Sequence, residues 1–192
     1  MSQSTYRGRF APSPTGLLHF GSLVTAVASY LEARCRQGAW LLRIDDLDQA
    51  RCVPHMDSHI QRTLESLGFT WDGEVVYQSK MSAAYEEALQ QLRKGGHTYV
   101  CRCSRKQINA QARHGIEGPV YPGTCRNRGL ADTAQRAIRL KTDDVPVGFE
   151  DRLFGPQVQR LQQDVGDFVI RRADGYCAYQ LAVVVDDAQA AV

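Results

Sequence analysis

The sequence predicts an α/β fold in which a doubly wound parallel sheet is interrupted by a small inserted lobe. Strand-like and amphipathic helical segments alternate over the first 97 residues, closely spaced cysteines follow, and strand-like segments return near residue 166. We therefore expect residues 1–97 to form the first half of the sheet domain and residues 98–165 to form the lobe. Residues 166–192 would then begin the second half of the sheet domain.

Each element of the first half has its own sequence signal. Residues 6–11 and the nearly continuous apolar run 39–44 are typical of buried parallel strands. Residues 20–36 carry apolar side chains at helical spacing, Pro54 opens a second helix, and residues 82–94 form a third. The spacing predicts that the first helix buries Phe20, Leu23, Val24, Val27, Tyr30 and Leu31.

Short strands are expected in the later part of the chain. One lies around residues 137–141, and another covers residues 167–170. An Ala-Asp-Gly turn predicts a hairpin that continues into residues 179–185, of which 181–185 are the most strand-like in the chain.

Composition excludes several classes of protein. The 192 residues are 43% hydrophobic, carry a net charge of +2 and lack a signal-peptide pattern or an apolar run of membrane length. We expect a cytoplasmic monomer without membrane contact, in which any nucleic acid would meet a local basic patch. One basic cluster is either such a patch or an ordinary solvated face: Arg126, Arg128, Arg136, Arg139 and Lys141.

The segment after the first strand has the character of a nucleotide site. Pro12 and Pro14 stiffen the turn and Gly16 permits a sharp bend. His19 and the backbone N–H groups near Gly21 then fall at the start of a helix, where unpaired donors and the helix dipole favour phosphate.

Three acidic residues follow the second strand directly, in Arg43-Ile44-Asp45-Asp46-Leu47-Asp48. Carboxylates at the carboxyl end of a buried parallel strand point into the ligand crevice of such sheets. One of them could pair with a ligand ammonium group. An acidic triplet is also common in solvated loops, and only its place beside the first loop favours the binding site.

Three of the six cysteines are close together, in the pattern Cys101-x-Cys103 and Tyr121-x-x-x-Cys125. Three thiolates and a fourth ligand would complete a tetrahedral zinc site. The spacing alone leaves zinc and three ordinary buried cysteines as equal alternatives, and neither His97 nor His114 has the spacing of a fourth ligand.

The sequence Arg9-Phe10-Ala11-Pro12-Ser13-Pro14-Thr15-Gly16-Leu17-Leu18-His19-Phe20-Gly21-Ser22 resembles the signature of the class I glutamyl-tRNA synthetases, including their adenylate motif. The resemblance implies a Rossmann-like catalytic domain that uses ATP with Mg²⁺ and L-glutamate. It assigns a catalytic role to His19, Gly21 and Ser22, which with Pro12 would bind ATP.

The acidic segment resembles the Arg-Ile-Glu-Asp-Thr-Asp element of the same family, with Asp45 in place of the glutamate that holds the substrate's α-amino group. Arg9 would engage the carboxylates of the substrate bidentately, and the phenol of Tyr179 would reach its side-chain carboxylate. The implied glutamate-binding set is Arg9, Phe10, Ala11, Pro12, Ser13, Asp45 and Tyr179.

Three features resemble the queuosine-modifying branch of the family: His-Phe-Gly-Ser-Leu, the Tyr-x-x-x-Cys closure and Leu-Ala-Val-Val-Val-Asp-Asp. That branch makes glutamyl-adenylate without tRNA and transfers glutamate to queuosine in the anticodon loop of tRNA(Asp). Its zinc lobe implies one structural Zn²⁺ held by Cys101, Cys103, Tyr121 and Cys125. Tyr121 is alternatively a surface aromatic beside Pro122.

Members of the family continue beyond the length of this sequence. The further part carries an additional arginine for the substrate and a lysine loop for pyrophosphate; Lys80-Met81-Ser82 lies in the wrong half of the fold to replace it. We therefore expect an incomplete catalytic domain with little activity alone. The alternatives are a fragment of a tRNA-charging glutamyl enzyme and a non-catalytic zinc-containing module that binds nucleotide or tRNA.

Overall fold

The structure is a computed structural model that describes residues 6–115 and 118–192. The chain forms two compact units. The first comprises residues 6–85 with Ala182–Val192, and the second comprises Glu86–Leu181. The domain limits expected from the sequence, after residues 97 and 165, stay predictions.

The first unit contains a three-stranded parallel sheet with helices between its strands. Its order is β1-β2-β3, and Arg9 lies opposite Leu41 in the register of β1 and β2. Helix α3 begins in this unit and α6 ends in it. The elements are β1 (Arg7–Phe10), α1 (Phe20–Cys35), β2 (Ala39–Ile44), α2 (Met56–Ser66), β3 (Val76–Tyr77), α3 (Ser82–Lys94) and α6 (Tyr179–Ala190).

The core of the first unit is built around Trp40, which is fully buried. Its ring lies parallel to those of Phe10 and Phe69, at centroid distances of 6.2 and 5.5 Å, and meets Tyr30 edge-on at 5.1 Å. The indole N–H donates to Ser29 Oγ at 3.0 Å, so its polar atom is satisfied. This packing holds β1, α1 and β2 together and so fixes the loops that follow the strands.

The predicted buried face of α1 is wrong. The helix instead buries Ala26 and Ala33. A Cβ on Gly8 of β1 would meet Ala33 Cβ at 3.6 Å and the Ser29 carbonyl oxygen at 3.4 Å, so helix and strand approach closely and only small side chains fit between them. Leu23 and Tyr30 are half-buried. The side chains left exposed are Phe20, Val24, Val27 and Leu31.

The second unit is an antiparallel sheet with a separate hairpin. Sheet order is β10-β7-β4, and β8 pairs with β9. The short strands β5 and β6 pair across residues 116 and 117, which are outside the described part. The elements are β4 (Thr98–Cys101), α4 (Arg105–Asn109), β5 (His114–Gly115), β6 (Gly118–Pro119), β7 (Ala137–Leu140), β8 (Pro146–Asp151), β9 (Gly155–Arg160), α5 (Leu161–Asp164) and β10 (Val169–Arg171).

The expected strand over residues 181–185 is wrong, since this run lies within helix α6. A short apolar run does not by itself distinguish a strand from a buried helix. A strand would have buried alternate residues, whereas the structure buries Ala182 and Asp186, four residues apart on one helical face, and exposes Val184. The turn before it is present, with a single antiparallel bridge between Arg171 and Cys177.

The hairpin β8–β9 was not anticipated from the sequence. The sequence Asp-Arg-Leu-Phe-Gly is nevertheless typical of a turn. In the structure Gly155 has a φ of +68°, and Asp151 accepts hydrogen bonds from the backbone N–H groups of Leu153 and Phe154.

Among the described helices, none has both the length and the apolar character required to cross a membrane.

Candidate functional site

The loops after β1 and β2 are joined by backbone hydrogen bonds at the carboxyl ends of these parallel strands. Asp45 N–H donates to the Pro12 carbonyl oxygen at 3.0 Å, and Val53 N–H donates to that of Pro14 at 2.9 Å. The Asp46 side chain also links the loop after β2 to Ser79, accepting hydrogen bonds from its backbone N–H at 2.8 Å and from its hydroxyl at 2.6 Å. This is the edge at which open α/β sheets bind ligands.

His19 caps helix α1. Its Nδ1 accepts the Ser22 backbone N–H at 3.2 Å, so a donor that we expected to face phosphate is paired with the imidazole. A Cβ on Gly21 would lie 3.1 Å from the His19 ring, so only glycine lets the imidazole lie this close to the helix. The adjoining cleft has a volume of about 580 Å³, and its lining includes Phe10, Ala11, Pro12, Ser13, His19, Gly21 and Ser22.

A network of alternating charges lies within the first unit, beside the same strand ends. Arg43 is buried and donates to Asp45 through Nε and to Asp187 through Nη1, both at 2.7 Å. Arg9 donates to the two carboxylate oxygens of Asp187 at 2.8 and 2.9 Å. The network therefore brings together Arg9 and Asp45, the two oppositely charged residues that the sequence proposed for glutamate.

The pKa values of Asp45 and Asp187 are shifted in opposite directions. Burial raises the pKa of Asp45, and its hydrogen bond from Arg43 offsets only part of that effect. Burial also opposes ionisation of Asp187, but the hydrogen bonds from Arg9 and Arg43 and the charges of both guanidinium groups together outweigh it and lower its pKa. A ligand ammonium group beside Asp45 would favour its ionised form, which burial disfavours.

Three residues of the network were missing from the sequence prediction: Arg43, Asp186 and Asp187. Asp186 is buried and accepts hydrogen bonds from Gln78 at 2.7 Å and Tyr85 at 2.8 Å. Two local signals were present: an arginine inside the apolar strand β2, since a buried guanidinium requires carboxylate partners, and the pair of carboxylates that ends Leu-Ala-Val-Val-Val-Asp-Asp. Tyr179, the remaining proposed glutamate ligand, is exposed and begins α6 in the second unit.

The three cysteines of the Cys-x-Cys and Tyr-x-x-x-Cys patterns are brought together in the second unit. Their sulfur atoms lie within 4.8 Å of one another, with Cys103 Sγ 3.5 Å from Cys125 Sγ. Tyr121 is buried with its hydroxyl 3.4 Å from Cys101 Sγ and 3.5 Å from Cys103 Sγ. The alternative of a surface aromatic at position 121 is wrong, because the ring is buried under the Arg139 guanidinium, which lies 3.8 Å from its centroid.

Three of these distances fit a four-coordinate metal, namely those from the Tyr121 hydroxyl to the sulfur atoms of Cys101 and Cys103 and that between the sulfur atoms of Cys103 and Cys125. Donors arranged tetrahedrally at a Zn–S length of about 2.3 Å and a Zn–O length of about 2.0 Å lie about 3.5–3.8 Å apart. Burial opposes ionisation of Cys125, yet hydrogen bonds from the Arg102 backbone, Tyr121 and the neighbouring thiols lower its pKa to about 7. Burial beside the thiols raises the pKa of Tyr121, so a phenolate ligand would require the metal's charge.

Several basic residues of the predicted cluster have structural partners in the second unit. Arg126 donates to the buried Asp167 at 3.0 Å and to the Thr142 carbonyl oxygen at 2.7 Å. Arg139 is buried, and Lys141 donates to the Gly96 carbonyl oxygen at 2.7 Å. These contacts lie within the second unit and stabilise it, so the cluster is not simply a solvated face; a nucleic-acid role stays a prediction.

The family follows from a comparison with known proteins. A family model described as "tRNA synthetases class I (E and Q), catalytic domain" matches residues 5–192. The chain belongs to this family of class I tRNA synthetases.

Curated relatives of this class I family share more than half of the sequence. A protein of Chromobacterium violaceum named "Glutamyl-Q tRNA(Asp) synthetase" is 58% identical over 193 residues, covering 100% of this chain and 64% of the relative. A Dechloromonas aromatica protein of the same name is 58% identical over 187 residues, covering 96% of this chain and 62% of the relative. The chain thus spans less than two thirds of the length of these relatives.

The class I synthetase fold is also seen in a solved structure. The glutamate tRNA ligase from Elizabethkingia meningosepticum, crystallised in complex with its amino acid, has a TM-score of 0.81 and is 26% identical. The match covers 98% of this chain and 43% of the ligase chain. The predicted α/β class I synthetase catalytic domain is therefore confirmed.

Proposed function

We propose that this chain is the amino-terminal part of an enzyme that activates L-glutamate with ATP to form glutamyl-adenylate without tRNA. The single observation that carries the proposal is the placement of Arg9 and Asp45 beside the His19 loop. Arg9 is close enough to Asp45 to favour its ionised form. A guanidinium and a carboxylate at the carboxyl ends of neighbouring strands suit the carboxylate and ammonium groups of an amino acid.

The proposed glutamate site uses side chains and backbone of the first loop. Arg9 holds a substrate carboxylate, and Asp45 holds the α-ammonium group. Asp45 is one methylene shorter than glutamate, and its backbone is drawn toward the first loop by the hydrogen bond to Pro12. Tyr179 is proposed for the side-chain carboxylate. Phe10, Ala11, Pro12 and Ser13, the remaining residues of the proposed set, line the cleft that also contains His19.

ATP is proposed to bind at the start of α1. His19, Gly21 and Ser22 line the cleft, and the first turn of α1 contains no acidic residue that would repel phosphate. The glutamate carboxylate then attacks the α-phosphorus and pyrophosphate leaves. His19 and the helix start stabilise the leaving negative charge, and Mg²⁺ bound with ATP neutralises part of it.

Zinc is the proposed metal of the cysteine cluster, with Cys101, Cys103, Cys125 and Tyr121 as ligands and a structural role. Removing one ligand of a structural site releases the metal and destabilises the fold around it. Cys103→Ser is expected to lose the zinc that the purified wild-type chain retains and to lower the unfolding temperature. Cys35→Ser is the matched control, because Cys35 is exposed and distant in sequence from the cluster. Equal zinc content in both variants would contradict the four-ligand site.

The transfer step is proposed to follow that of the queuosine-modifying branch, named glutamyl-queuosine tRNA(Asp) synthetase. The acceptor is queuosine in the anticodon loop of tRNA(Asp), and the support is the name shared by relatives at 58% identity. The alternative, charging of tRNA(Glu) at its 3′ end, is supported by the fold of the glutamate tRNA ligase. Glutamate transferred by the complete enzyme to one RNA or the other decides between them.

The first test is glutamate-dependent exchange between ATP and pyrophosphate without tRNA. Because the chain spans 64% of its relatives' length, we expect its exchange rate to be about 10²–10⁴-fold below that of a complete enzyme. Direct binding is the stronger measurement. Equilibrium dialysis is expected to show L-glutamate bound in preference to L-glutamine. A folded chain that binds neither amino acid, or that exchanges only with tRNA(Glu) present, would contradict the proposal.

A further inference from the structure

The guanidinium of Arg9, at the proposed site, is held by a carboxylate of α6. Nε of Arg9 donates to Asp187 Oδ1 at 2.8 Å, and Nη2 donates to Oδ2 at 2.9 Å. Two parallel hydrogen bonds fix both the position and the plane of a guanidinium, which a single bond does not. Asp187 therefore determines in which direction the outer edge of Arg9 points.

Asp187 is itself held in place from two sides. Its Oδ1 also accepts Nη1 of the buried Arg43 at 2.7 Å. The preceding residue, Asp186, is anchored by Gln78 and Tyr85, so the helix cannot rotate about this point without breaking buried hydrogen bonds. The orientation of Arg9 is thus set by buried groups from several elements of the first unit.

We infer that Asp187 is a positioning residue for glutamate recognition, one that holds the Arg9 guanidinium ready to receive the substrate carboxylate. The inference rests on the proposed function. A free arginine side chain has many rotamers and loses about 2 kcal/mol of entropy when ordered. Asp187 orders Arg9 before the substrate arrives, so this cost does not fall on binding.

Asp187 also sets the charge of the site. Arg9 and Arg43 face the carboxylates of Asp45, Asp186 and Asp187 within the network. With one more carboxylate than guanidinium groups, the site attracts a ligand ammonium while the guanidinium of Arg9 keeps a fixed orientation. Loss of the charge on Asp187 would allow Arg9 to turn and Arg43 to shift toward Asp45. Binding of the substrate carboxylate by Arg9 and of the substrate ammonium group by Asp45 would both weaken.

The test compares Asp187→Asn with Asp187→Glu in the full chain. The asparagine variant keeps the size of the side chain but loses its charge and one acceptor, whereas glutamate keeps both carboxylate oxygens. The control is Asp72→Asn, which weakens another ion pair of the first unit, between Asp72 and Arg34 at 2.8 Å. Equilibrium dialysis with labelled L-glutamate and with labelled ATP gives the two dissociation constants.

Asp187→Asn is expected to raise the dissociation constant for glutamate about tenfold, the loss typical of one charge-assisted contact, with that for ATP unchanged. Asp187→Glu is expected to recover part of the loss, and Asp72→Asn to change neither constant. Unchanged glutamate binding in Asp187→Asn overturns the inference alone. An equal loss of ATP binding also overturns it, because the role would then be structural. A wild-type chain without glutamate binding overturns the proposed function and this inference together.

A nuclear magnetic resonance measurement tests the positioning itself. The Arg9 Nε–H signal, assigned by its disappearance in Arg9→Lys, is expected to be shifted and slow to exchange in the wild-type chain. In Asp187→Asn it should move toward the signals of exposed arginines. A signal that keeps its shift and exchange rate in Asp187→Asn would show that something other than Asp187 orders Arg9.

Discussion

Replacement of Arg43 by methionine tests the charge network most directly. The arginine side chain is 6% exposed and is paired with Asp45 and Asp187, while Asp186 lies 3.7 Å from its Nε. Methionine has a similar length and an apolar end, so the variant fills the space but leaves buried carboxylates without their cation. Breaking a buried ion pair in this way costs about 3–5 kcal/mol of unfolding free energy.

Urea denaturation measures this cost through tryptophan fluorescence. Both tryptophans, Trp40 and Trp71, lie in the first unit, so their fluorescence reports the unit that contains the network. The control is Arg36→Met, which removes an ion pair with Glu32 on the surface of α1. Pairs of that kind contribute about 0.3–0.5 kcal/mol.

The loss of unfolding free energy in Arg43→Met should become smaller as the pH falls. Burial already raises the pKa of Asp45, and without Arg43 the value rises further. A carboxyl with a raised folded pKa binds protons more tightly when folded, so the variant gains stability relative to wild type as the pH falls through that pKa. The deficit is therefore largest at neutral pH. A cost below about 1 kcal/mol, the upper range of surface pairs, or a deficit that is constant between neutral and acidic pH, would refute the reasoning.

Two further predictions concern local geometry. Gly38→Ala is expected to cost about 1–3 kcal/mol, because its Cβ would lie within 2.2 Å of the Tyr6 carbonyl oxygen. Gly16→Ala, whose Cβ meets nothing within 4 Å, should change the urea midpoint little, and equal effects in the two variants would contradict this explanation. Ser104→Ala removes the side-chain acceptor of a capping box with Gln107 and should cost α4 about 1 kcal/mol. Faster hydrogen exchange of the Gln107 amide would show this loss of stability, and unchanged exchange would argue against a role of Ser104 as the cap.

Some parts of the fold could be predicted from the sequence because their signals are local. Strand β2 and helix α3 have the predicted limits, since a continuous apolar run and a helical repeat ended by Gly95-Gly96 each carry their own evidence. The loop after β1 and the spacing of Cys101, Cys103 and Cys125 likewise indicated which residues the structure brings together.

Other parts depended on packing that no local pattern contains. The apolar stripe of α1 predicted the wrong buried face, because the close approach of Gly8 and Ala33 turns the helix so that its small residues meet the sheet. The run 181–185 has the composition of a strand, yet it belongs to α6, whose buried face carries Ala182 and Asp186.

The residue types of the site can be recognised without a structure: a guanidinium, a carboxylate after a strand, a histidine at a helix start and a set of thiols. Which of the charges meet depends on the fold. Arg9 and Asp187 are 178 residues apart, and Arg43 and Asp187 are 144 apart. Pairs so distant in the chain are selected by the packing of α6 with the first unit. The reason is that a buried charge is tolerated only where folding brings an opposite charge to it.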